Sequence, residues 1–520
     1  MTRVAAREGE VMRALKTMLL AGGALLILAA AAQAADLPTK KTAPAPAPVN
    51  CLASFQTWVV ASAVDCPLSL YGVTVYGQID AGASYLEHGA AFGKRTPNPI
   101  ESVISPQGNG SILQLSDNQL SPSNIGVKVS EALFGDVKFI ADWRLSFNPW
   151  SLEALSGPGA LIDNNGIPAQ SRLSVGSGSY NGAWDNNRAF IGFTSPTVGT
   201  FKIGRMNTFD NDLFPLYDAS GGSYGFSGLG YSGGWSTGLG ITETNRFNLG
   251  ASYVYDYHQL FHVGAGTQIG GFGLENDAAQ SYNFDVGGAA GGFSGDLIYQ
   301  HSTDAIHFGD WSSLPGVGTT PTTVNVSQDL KATMANQDAW AVLAKYNYQA
   351  FTIYGTYSLA KLTNPTDTVY ANGFSNAEGS TYSILPNSIA PGSISTTAYT
   401  IPEILQAASI SAKYSVNPQF DVMADYAFVW QENYDTAQTG ANCKAYTTSP
   451  AGYNGAIPVG TQKPDCAGTT AVVSILFDYR PIKRLDTYVG VEYSTGAGGM
   501  VSGNWADNNT AVTAGVRLTF

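Results

Sequence analysis

The sequence predicts an all-β protein, a 16-stranded antiparallel transmembrane β-barrel with short turns at one rim and long loops at the other. Three observations support this prediction. Apolar and polar residues alternate with period two in sixteen segments between residue 71 and residue 520. The connections between these segments alternate between short and long. The charged residues of most segments fall on one face, which leaves the other face apolar.

Each segment is interpreted as one strand. In the first segment, Val73, Val75 and Ile79 share one face, while Tyr76 and Asp80 share the other. Most segments contain 9 to 14 residues, which is long enough for a tilted strand to cross a bilayer. The predicted strands are residues 71–86, 123–131, 135–147, 187–195, 198–206, 244–256, 260–273, 279–290, 291–302, 338–349, 350–361, 403–416, 418–433, 469–480, 483–494 and 509–520.

The connections are segregated by length. Short turns alternate with loops that often exceed thirty residues, and only the link near 274–278 breaks the long series. A barrel inserted from the periplasm has short periplasmic turns and long extracellular loops, whereas a soluble β-sandwich has no reason to separate them. The long loops are predicted at 87–122, 148–186, 207–243, 303–337, 362–402 and 434–468.

The positions of the charged side chains predict a water-filled interior. In segment 135–147, Phe139 and Trp143 face away from Asp142 and Arg144. A basic residue on the lipid face at mid-bilayer costs about 2–4 kcal/mol, and unpaired charges in a dry core would cost more. We therefore expect one face of each strand in lipid and the other in a wet lumen. A soluble β protein with one polar face would explain the alternation but not the loop lengths.

The composition agrees with a membrane barrel and excludes one class of partner. Only 12% of the residues are charged, against roughly a quarter in a soluble domain. Beyond the N-terminal leader, no run approaches the roughly 20 apolar residues of a membrane helix. The net charge of −13 argues against nucleic acid as a partner, because phosphates require a basic surface.

The N-terminus has the pattern of an export signal. A short basic region precedes an apolar stretch, and Ala32-Gln33-Ala34 then offers the small-x-small pattern needed for cleavage. The tract that follows is rich in alanine and proline and should be extended. The predicted organisation is a signal peptide at 1–34, an Ala/Pro-rich N-terminal segment with a disulfide loop at 35–69, and the barrel domain at 70–520.

The chain contains four cysteines, namely Cys51, Cys66, Cys443 and Cys466. In an exported protein such residues can form disulfides. Their spacing suggests the pairs 51–66 and 443–466, although four cysteines allow three connectivities and free thiols are an alternative. Zinc binding by these cysteines is not expected because no histidine lies near them in the sequence. Neither a metal nor another cofactor is predicted.

Several segments resemble the general bacterial porins, the sixteen-stranded trimeric family. The stretch LYGVTVYGQIDAGASY resembles their first strand, and SNIGVKVSEALFGDVKFIADWRLSFN resembles the second and third with their tight turn. NRAFIGFTSPTVGTFKIGRMNTFDNDLFPLYD resembles the fourth and fifth strands and the start of the constriction loop. VTAGVRLTF resembles the last strand with its C-terminal Phe. ADLPTKK, followed by Cys51 and Cys66, is similar to the N-terminus of alphaproteobacterial porins.

This resemblance implies an outer-membrane porin for passive diffusion of ions and small hydrophilic solutes. It also implies a homotrimer, in contact with outer-membrane lipid and lipopolysaccharide, and a constriction loop folded into the barrel, which we assign to 207–243. By alternation Arg205 falls on the side of Phe201 and Ile203, so either it lies beyond the membrane or a β-bulge near the strand end turns it inward. The implied acidic residues are Asp210, Asp212, Asp218 and Glu243, and the implied basic residues are Lys128, Lys138, Arg144, Arg188, Arg205 and Arg246.

Other classes of function fit the sequence less well. Residues 230–234 match the G-x-S-x-G motif of hydrolases, but no helical pattern follows them to form the required elbow, so an enzyme is not predicted. A receptor-type active transporter would need a plug domain and about 22 strands. The chain has sixteen predicted strands and only residues 35–69 before the barrel, so this class is not predicted. A substrate-specific channel and a structural or adhesive barrel stay open as alternatives. The mixed signs of the predicted lumen charges favour a general pore.

Overall fold

The structure is a computed structural model. The predicted signal peptide, Glu243, Cys443 and the motif at 230–234 lie outside the residues that it describes. No helix among the described residues is long and apolar enough to cross a membrane. The described residues are 51, 53–89, 92, 103–104, 106, 110–152, 187–229, 246–258, 260–268, 280–311, 329–363, 401–434, 466–501 and 506–520.

The described strands form one antiparallel sheet that closes into a barrel. Short helices lie before the first strand, α1 (Phe55–Val60), and after the seventh, α2 (Phe209–Leu213). A 3-10 helix (Phe214–Tyr217) continues α2, and a second (Gly499–Val501) follows the seventeenth strand. The strands are β1 (Leu68–Leu70), β2 (Val73–Leu86), β3 (Ile112–Asp117), β4 (Asn124–Phe134), β5 (Val137–Ser146), β6 (Arg188–Ser195), β7 (Gly199–Asn207), β8 (Arg246–Tyr257), β9 (Phe261–Gln268), β10 (Gln280–Ala290), β11 (Phe293–Trp311), β12 (Asp329–Tyr348), β13 (Phe351–Thr363), β14 (Glu403–Asn417), β15 (Phe420–Gln431), β16 (Gly468–Ile482), β17 (Leu485–Gly498) and β18 (Asn508–Thr519).

These strands occupy sixteen positions around the barrel, which confirms the predicted number. β3 and β4 share one position, because β3 pairs with the second half of β2 and β4 with its first half. The three-residue β1 pairs with the first residues of β2, next to the end of β18. β18 pairs with β2 and closes the barrel. Two backbone hydrogen bonds between Gly77 and Phe520, of 3.0 and 2.9 Å, complete the seam.

The structure corrects the sequence analysis at three strands. β3 lies inside the predicted loop 87–122, because a six-residue strand gives too little alternation to separate it from its polar surroundings. β11 and β12 contain 19 and 20 residues, well beyond the predicted 291–302 and 338–349. Their added length carries acidic and histidine residues, and the extensions pair with each other through register shifts. Regular alternation therefore stops where the strands continue as a paired ribbon.

The outer face of the barrel is apolar and the inner face polar, as predicted. Large apolar side chains such as Val342, Ile353 and Ile475 are about half exposed on the outer face. Aromatic rings cluster on this face near the short-turn rim, where Phe351 stacks on Tyr414 with ring centres 4.5 Å apart. Rings of this kind favour the membrane–water interface. The outer face is therefore built to contact lipid.

The break between β3 and β4 is organised by the carboxylate of Asp80, which is fully buried. One oxygen accepts hydrogen bonds from the backbone N–H groups of Leu120 (2.6 Å) and Ser121 (2.9 Å). The other accepts from the hydroxyl of Tyr488 at 2.6 Å. Residues 118–123 thereby fold inward from the wall, and their backbone supports the loop described below.

The N-terminal segment packs against the short-turn rim through Arg484. Cys51 and Cys66 form a disulfide, as predicted. The guanidinium of Arg484, which is 1% exposed, donates to the carbonyls of Trp58 (2.9 Å), Ser62 (3.2 Å) and Cys66 (2.6 Å). It also lies 4.3 Å from the centre of the Trp58 ring. Among the other cysteines, Cys466 is disulfide-bonded as well.

We expect the substitution Arg484→Ala to release this segment from the rim. Three carbonyls, of which that of Cys66 is buried, would lose a charged donor, a cost of about 2–4 kcal/mol for docking the segment. Limited proteolysis under native conditions should then cut residues 53–66 several times faster, although the disulfide keeps the ends joined. Lys483→Ala is the matched control, because its 2.9 Å ion pair with Asp65 is exposed and should contribute little. Equal cleavage of the two variants would contradict the role of Arg484.

Candidate pore and its constriction

The segment after β7 folds into the barrel, which confirms the predicted inward loop. Its described part, residues 208–229, is called the inner loop here. It runs along one side of the lumen and makes hydrogen bonds with lumen-facing side chains of six strands from β10 to β16. These bonds join Phe209 N to Asn283 (2.7 Å), Tyr217 OH to Asp296, Lys345 to Leu216 O (3.2 Å), Ala219 N to Ser411 (3.0 Å), Gly228 N to Asp425 (3.3 Å) and Ser474 to Phe226 O.

Apolar burial holds the inner loop against the wall. The ring of Phe226 is 1% exposed and packs edge-on against Tyr488, with ring centres 6.1 Å apart. It fits because Gly490 has no side chain; a Cβ there would lie 2.4 Å from the ring. Burial of a phenylalanine of this kind stabilises by roughly 1.5–3 kcal/mol. The whole cluster consists of Leu120, Ala219, Phe226, Tyr354, Met423, Leu476 and Tyr488.

Basic side chains lie on the lumen face of strands that the inner loop leaves uncovered. Arg144 on β5 and Arg188 on β6 are directly paired across the two strands. Arg144 donates to the hydroxyl of Tyr76 at 3.1 Å, and Arg188 lies 3.3 Å from Asp142. The Lys128 ammonium is 5.3 Å from the Tyr76 ring centre. With Lys138, which is exposed, these residues form what we call the basic wall (Lys128, Lys138, Arg144 and Arg188).

The acidic residues predicted for the loop have different environments. Asp210 is fully buried. Asp212 is partly exposed and accepts a 2.7 Å hydrogen bond from Asn207. Asp218 holds the turn of the inner loop together, because it accepts from Ser220, Gly222 and Ser227 within that loop. Glu243 is outside the described residues, and of the described loop acids Asp212 and Asp218 are partly exposed.

The sequence analysis did not single out Tyr76 and Asp142 as site residues. The Tyr76 hydroxyl donates to Asp142, and Arg144 in turn donates to that hydroxyl. Asp142 also pairs with Arg188. These contacts hold the guanidinium groups of the basic wall in place. The period-two pattern puts all four residues on the lumen face, but only the pairing of β2, β4, β5 and β6 brings them together.

A model of the Gram-negative porin family matches residues 21–517 of this chain. The chain belongs to the Gram-negative porins. A search of curated proteins found no match. Because it is a porin with a closed barrel, this protein is an outer-membrane channel for passive diffusion of ions and small hydrophilic solutes. Its short turns are periplasmic, as in outer-membrane barrels generally. Family and fold are those of a channel rather than of an enzyme.

Solved structures resemble this porin at low sequence identity. OmpT of Vibrio cholerae, expressed in the outer membrane, has a TM-score of 0.50 and 15% identity over 87% of this chain and 100% of its own. An anion-selective porin from Comamonas acidovorans has a TM-score of 0.49 and 14% identity, with 86% and 99% covered. Salmonella typhi OmpF in complex with daunomycin has a TM-score of 0.45 and 13% identity, with 86% and 97% covered. The likeness to OmpT shows a shared fold.

Arg205 lies near the end of β7, where the porin's inner loop begins, and Arg246 is the first residue of β8. Arg205 is opposite Ala189 in the pairing of β6 with β7. A register shift between β7 and β8 occurs beside it, after Gly204, whose φ is +129°. Arg246 is opposite Asn207. The Nε atoms of both arginines are buried, and their role at the constriction stays a prediction.

Proposed function

We propose that this porin is a general diffusion channel whose narrowest part lies between the basic wall and the inner loop. The observation that supports this proposal is the division of the lumen into two sides. The lumen-facing side chains that bond or pack against the inner loop are mostly those of β10 to β17, whereas the basic wall is carried by β4 to β6. Water-soluble molecules would then pass between fixed positive charges and the loop.

The proposal assigns a role in the constriction to each predicted charge. Lys128, Lys138, Arg144 and Arg188 form the positive side, with Arg205 and Arg246 near the ends of the loop segment. Asp212 faces them, while Asp210 and Asp218 maintain the shape of the loop and Glu243 adds negative charge further along. Opposed charges produce a transverse field, which orients dipolar solutes and favours polar molecules over apolar ones. Because both signs are present, the field selects against apolar solutes rather than for one ion.

The proposal includes the assembly and the surroundings of the porin. We infer a homotrimer from the resemblance to the trimeric general porins, and contact with outer-membrane lipid and lipopolysaccharide from the apolar outer face. The signal peptide at 1–34, with cleavage after Ala34, completes the proposed export route.

Planar-bilayer recording of the purified porin under a salt gradient tests the proposal. Ohmic current steps that occur in groups of three are expected, and their reversal potential measures the ion preference. A substrate-specific channel would instead show currents that one class of solute blocks at low concentration. Folded, heat-modifiable protein without conductance would contradict an open pore and support a structural or adhesive barrel.

The double substitution Arg144→Gln and Arg188→Gln should shift the ion preference towards cations. Removal of two fixed positive charges from a narrow aqueous pore should lower the anion-to-cation permeability ratio about three- to tenfold. The reversal potential measures this ratio directly. Lys483→Gln removes a positive charge from the exposed rim and is the matched control. If both variants shift the reversal potential equally, the basic wall does not line the constriction.

A further inference from the structure

The side chains of His262, Asp285 and Asp296 converge on the lumen face next to the inner loop. His262 on β9 and Asp296 on β11 lie in one cross-strand row, with Gly287 of β10 between them. Because Gly287 has no side chain, the Asp296 carboxylate reaches across β10 to His262; a Cβ at residue 287 would lie 1.8 Å from its Oδ1 atom. Nε2 of His262 is 2.7 Å from this oxygen and 2.9 Å from Oδ2 of Asp285.

The cluster is buried and incompletely satisfied. The side chains of Asp285 and Asp296 are each 2% exposed, and His262 is 22% exposed. Within the described part of the chain, Nε2 of His262, Oδ1 of Asp296 and Oδ1 of Asp285 make no hydrogen bond of acceptable geometry. Buried polar atoms of this kind are rare, since each unpaired group costs free energy. A single cation between these three residues would satisfy all three atoms.

The charge of the cluster indicates a cation. Two carboxylates beside a neutral imidazole would carry a charge of −2, and both carboxylates are almost completely shielded from water. The nearby Lys345 contacts the inner loop instead of these carboxylates. Its ammonium donates to Leu216 O and lies 5.2 Å from the Tyr217 ring centre. Buried charges are normally paired or bound to metal. A divalent cation would neutralise the pair of carboxylates.

We propose that His262, Asp285 and Asp296 bind a divalent transition-metal cation. Imidazole nitrogen with two carboxylate oxygens suits ions such as Zn²⁺ better than Mg²⁺ or Ca²⁺, which prefer oxygen alone. Metal–ligand distances of about 2.1 Å put neighbouring ligands roughly 3.4 Å apart in the tetrahedral geometry that Zn²⁺ usually adopts. The observed distances of 2.7 and 2.9 Å are shorter, so binding requires the ligands to move apart by roughly 0.5–0.7 Å. The partly exposed His262 provides access from the lumen.

The proposed ion would be coupled to the inner loop. The hydroxyl of Tyr217, at the end of the loop's 3-10 helix, donates to Asp296. Tyr217 is therefore a positioning residue, which orients one ligand and connects the ion to the loop. Such partners commonly change metal affinity 10- to 100-fold. The main alternative is an imidazolium held between two carboxylates, which would bind no metal.

Calorimetric titration of the folded, chelator-treated porin with Zn²⁺ tests the proposal. One Zn²⁺ per chain is expected, with at least tenfold weaker binding in His262→Gln and in Asp285→Asn. His301→Gln is the matched control, because His301 on β11 also contacts an aspartate, Asp338 on β12, at 2.8 Å. It should leave the affinity for Zn²⁺ unchanged.

Gly287→Ala tests the geometry of the site with all three ligands kept. Its methyl group would displace the Asp296 carboxylate and should also weaken Zn²⁺ binding at least tenfold. Heat-modifiability on gels confirms that each variant is folded before titration. Absence of a stoichiometric site in the native porin, or equal binding by His262→Gln and His301→Gln, would overturn the proposal. Metal binding needs no open pore, so this test and the conductance test can fail independently.

Discussion

Replacing residues 211–227 by a short Gly-Ser linker is expected to increase single-channel conductance about two- to threefold. These residues occupy the lumen along β11 to β17, and the conductance of a water-filled pore is set by its narrowest cross-section. The same change should allow larger neutral sugars to enter, which liposome swelling measures. Conductance equal to that of the native porin would show that the constriction lies elsewhere.

A single substitution gives a gentler test of the same loop. Phe226→Ala removes the buried ring from its place against Gly490 and Tyr488, and a change of this size costs about 3–5 kcal/mol. The loop should detach intermittently, so the open-channel current should become noisier. Leu216→Ala is the matched control, because Leu216 belongs to the same loop but is 52% exposed. Equal current noise in both variants would contradict the role of the Phe226 ring.

Asp80→Ala is expected to lower the free energy of unfolding by about 3–5 kcal/mol. The substitution leaves the N–H groups of Leu120 and Ser121 and the hydroxyl of Tyr488 buried without their acceptor. Buried polar groups without a partner account for most of the stability lost in substitutions of this kind. Arg517, opposite Asp80 in the sheet, keeps its 2.8 Å partner Asp486. Urea unfolding in lipid vesicles measures the change.

Two further variants separate the hydrogen bonds of Asp80 from its charge. Asp80→Asn keeps the shape and one oxygen acceptor, so it should lose less than half as much stability as the alanine variant. Asp65→Ala removes an exposed carboxylate from the rim and should have little effect. A small effect of Asp80→Ala would mean that residues 118–123 fold inward without this carboxylate.

Alternation along the chain was sufficient to predict the number of barrel strands and the face that each presents to lipid. In β5, Phe139 and Trp143 had to separate from Asp142 and Arg144, because a charge in the hydrocarbon region costs several kcal/mol. A shift of one residue would have exchanged the two faces. The local spacing of Cys51 and Cys66 likewise indicated their disulfide. These features depend on residues that are close in the sequence and on the contrast between lipid and water. Both can be recognised in the linear sequence.

Which lumen residues meet depends on the folded barrel and could not be predicted from the chain. Arg144 reaches Tyr76, Phe226 reaches Gly490, and His262 reaches Asp296 across an intervening glycine. Each of these contacts depends on strand register around a closed barrel, or on a loop crossing the lumen, and leaves no local pattern in the chain. β3 was missed for a similar reason, since its six residues are defined by pairing with β2 rather than by their own periodicity. The barrel wall follows from local alternation, whereas the constriction follows from long-range packing.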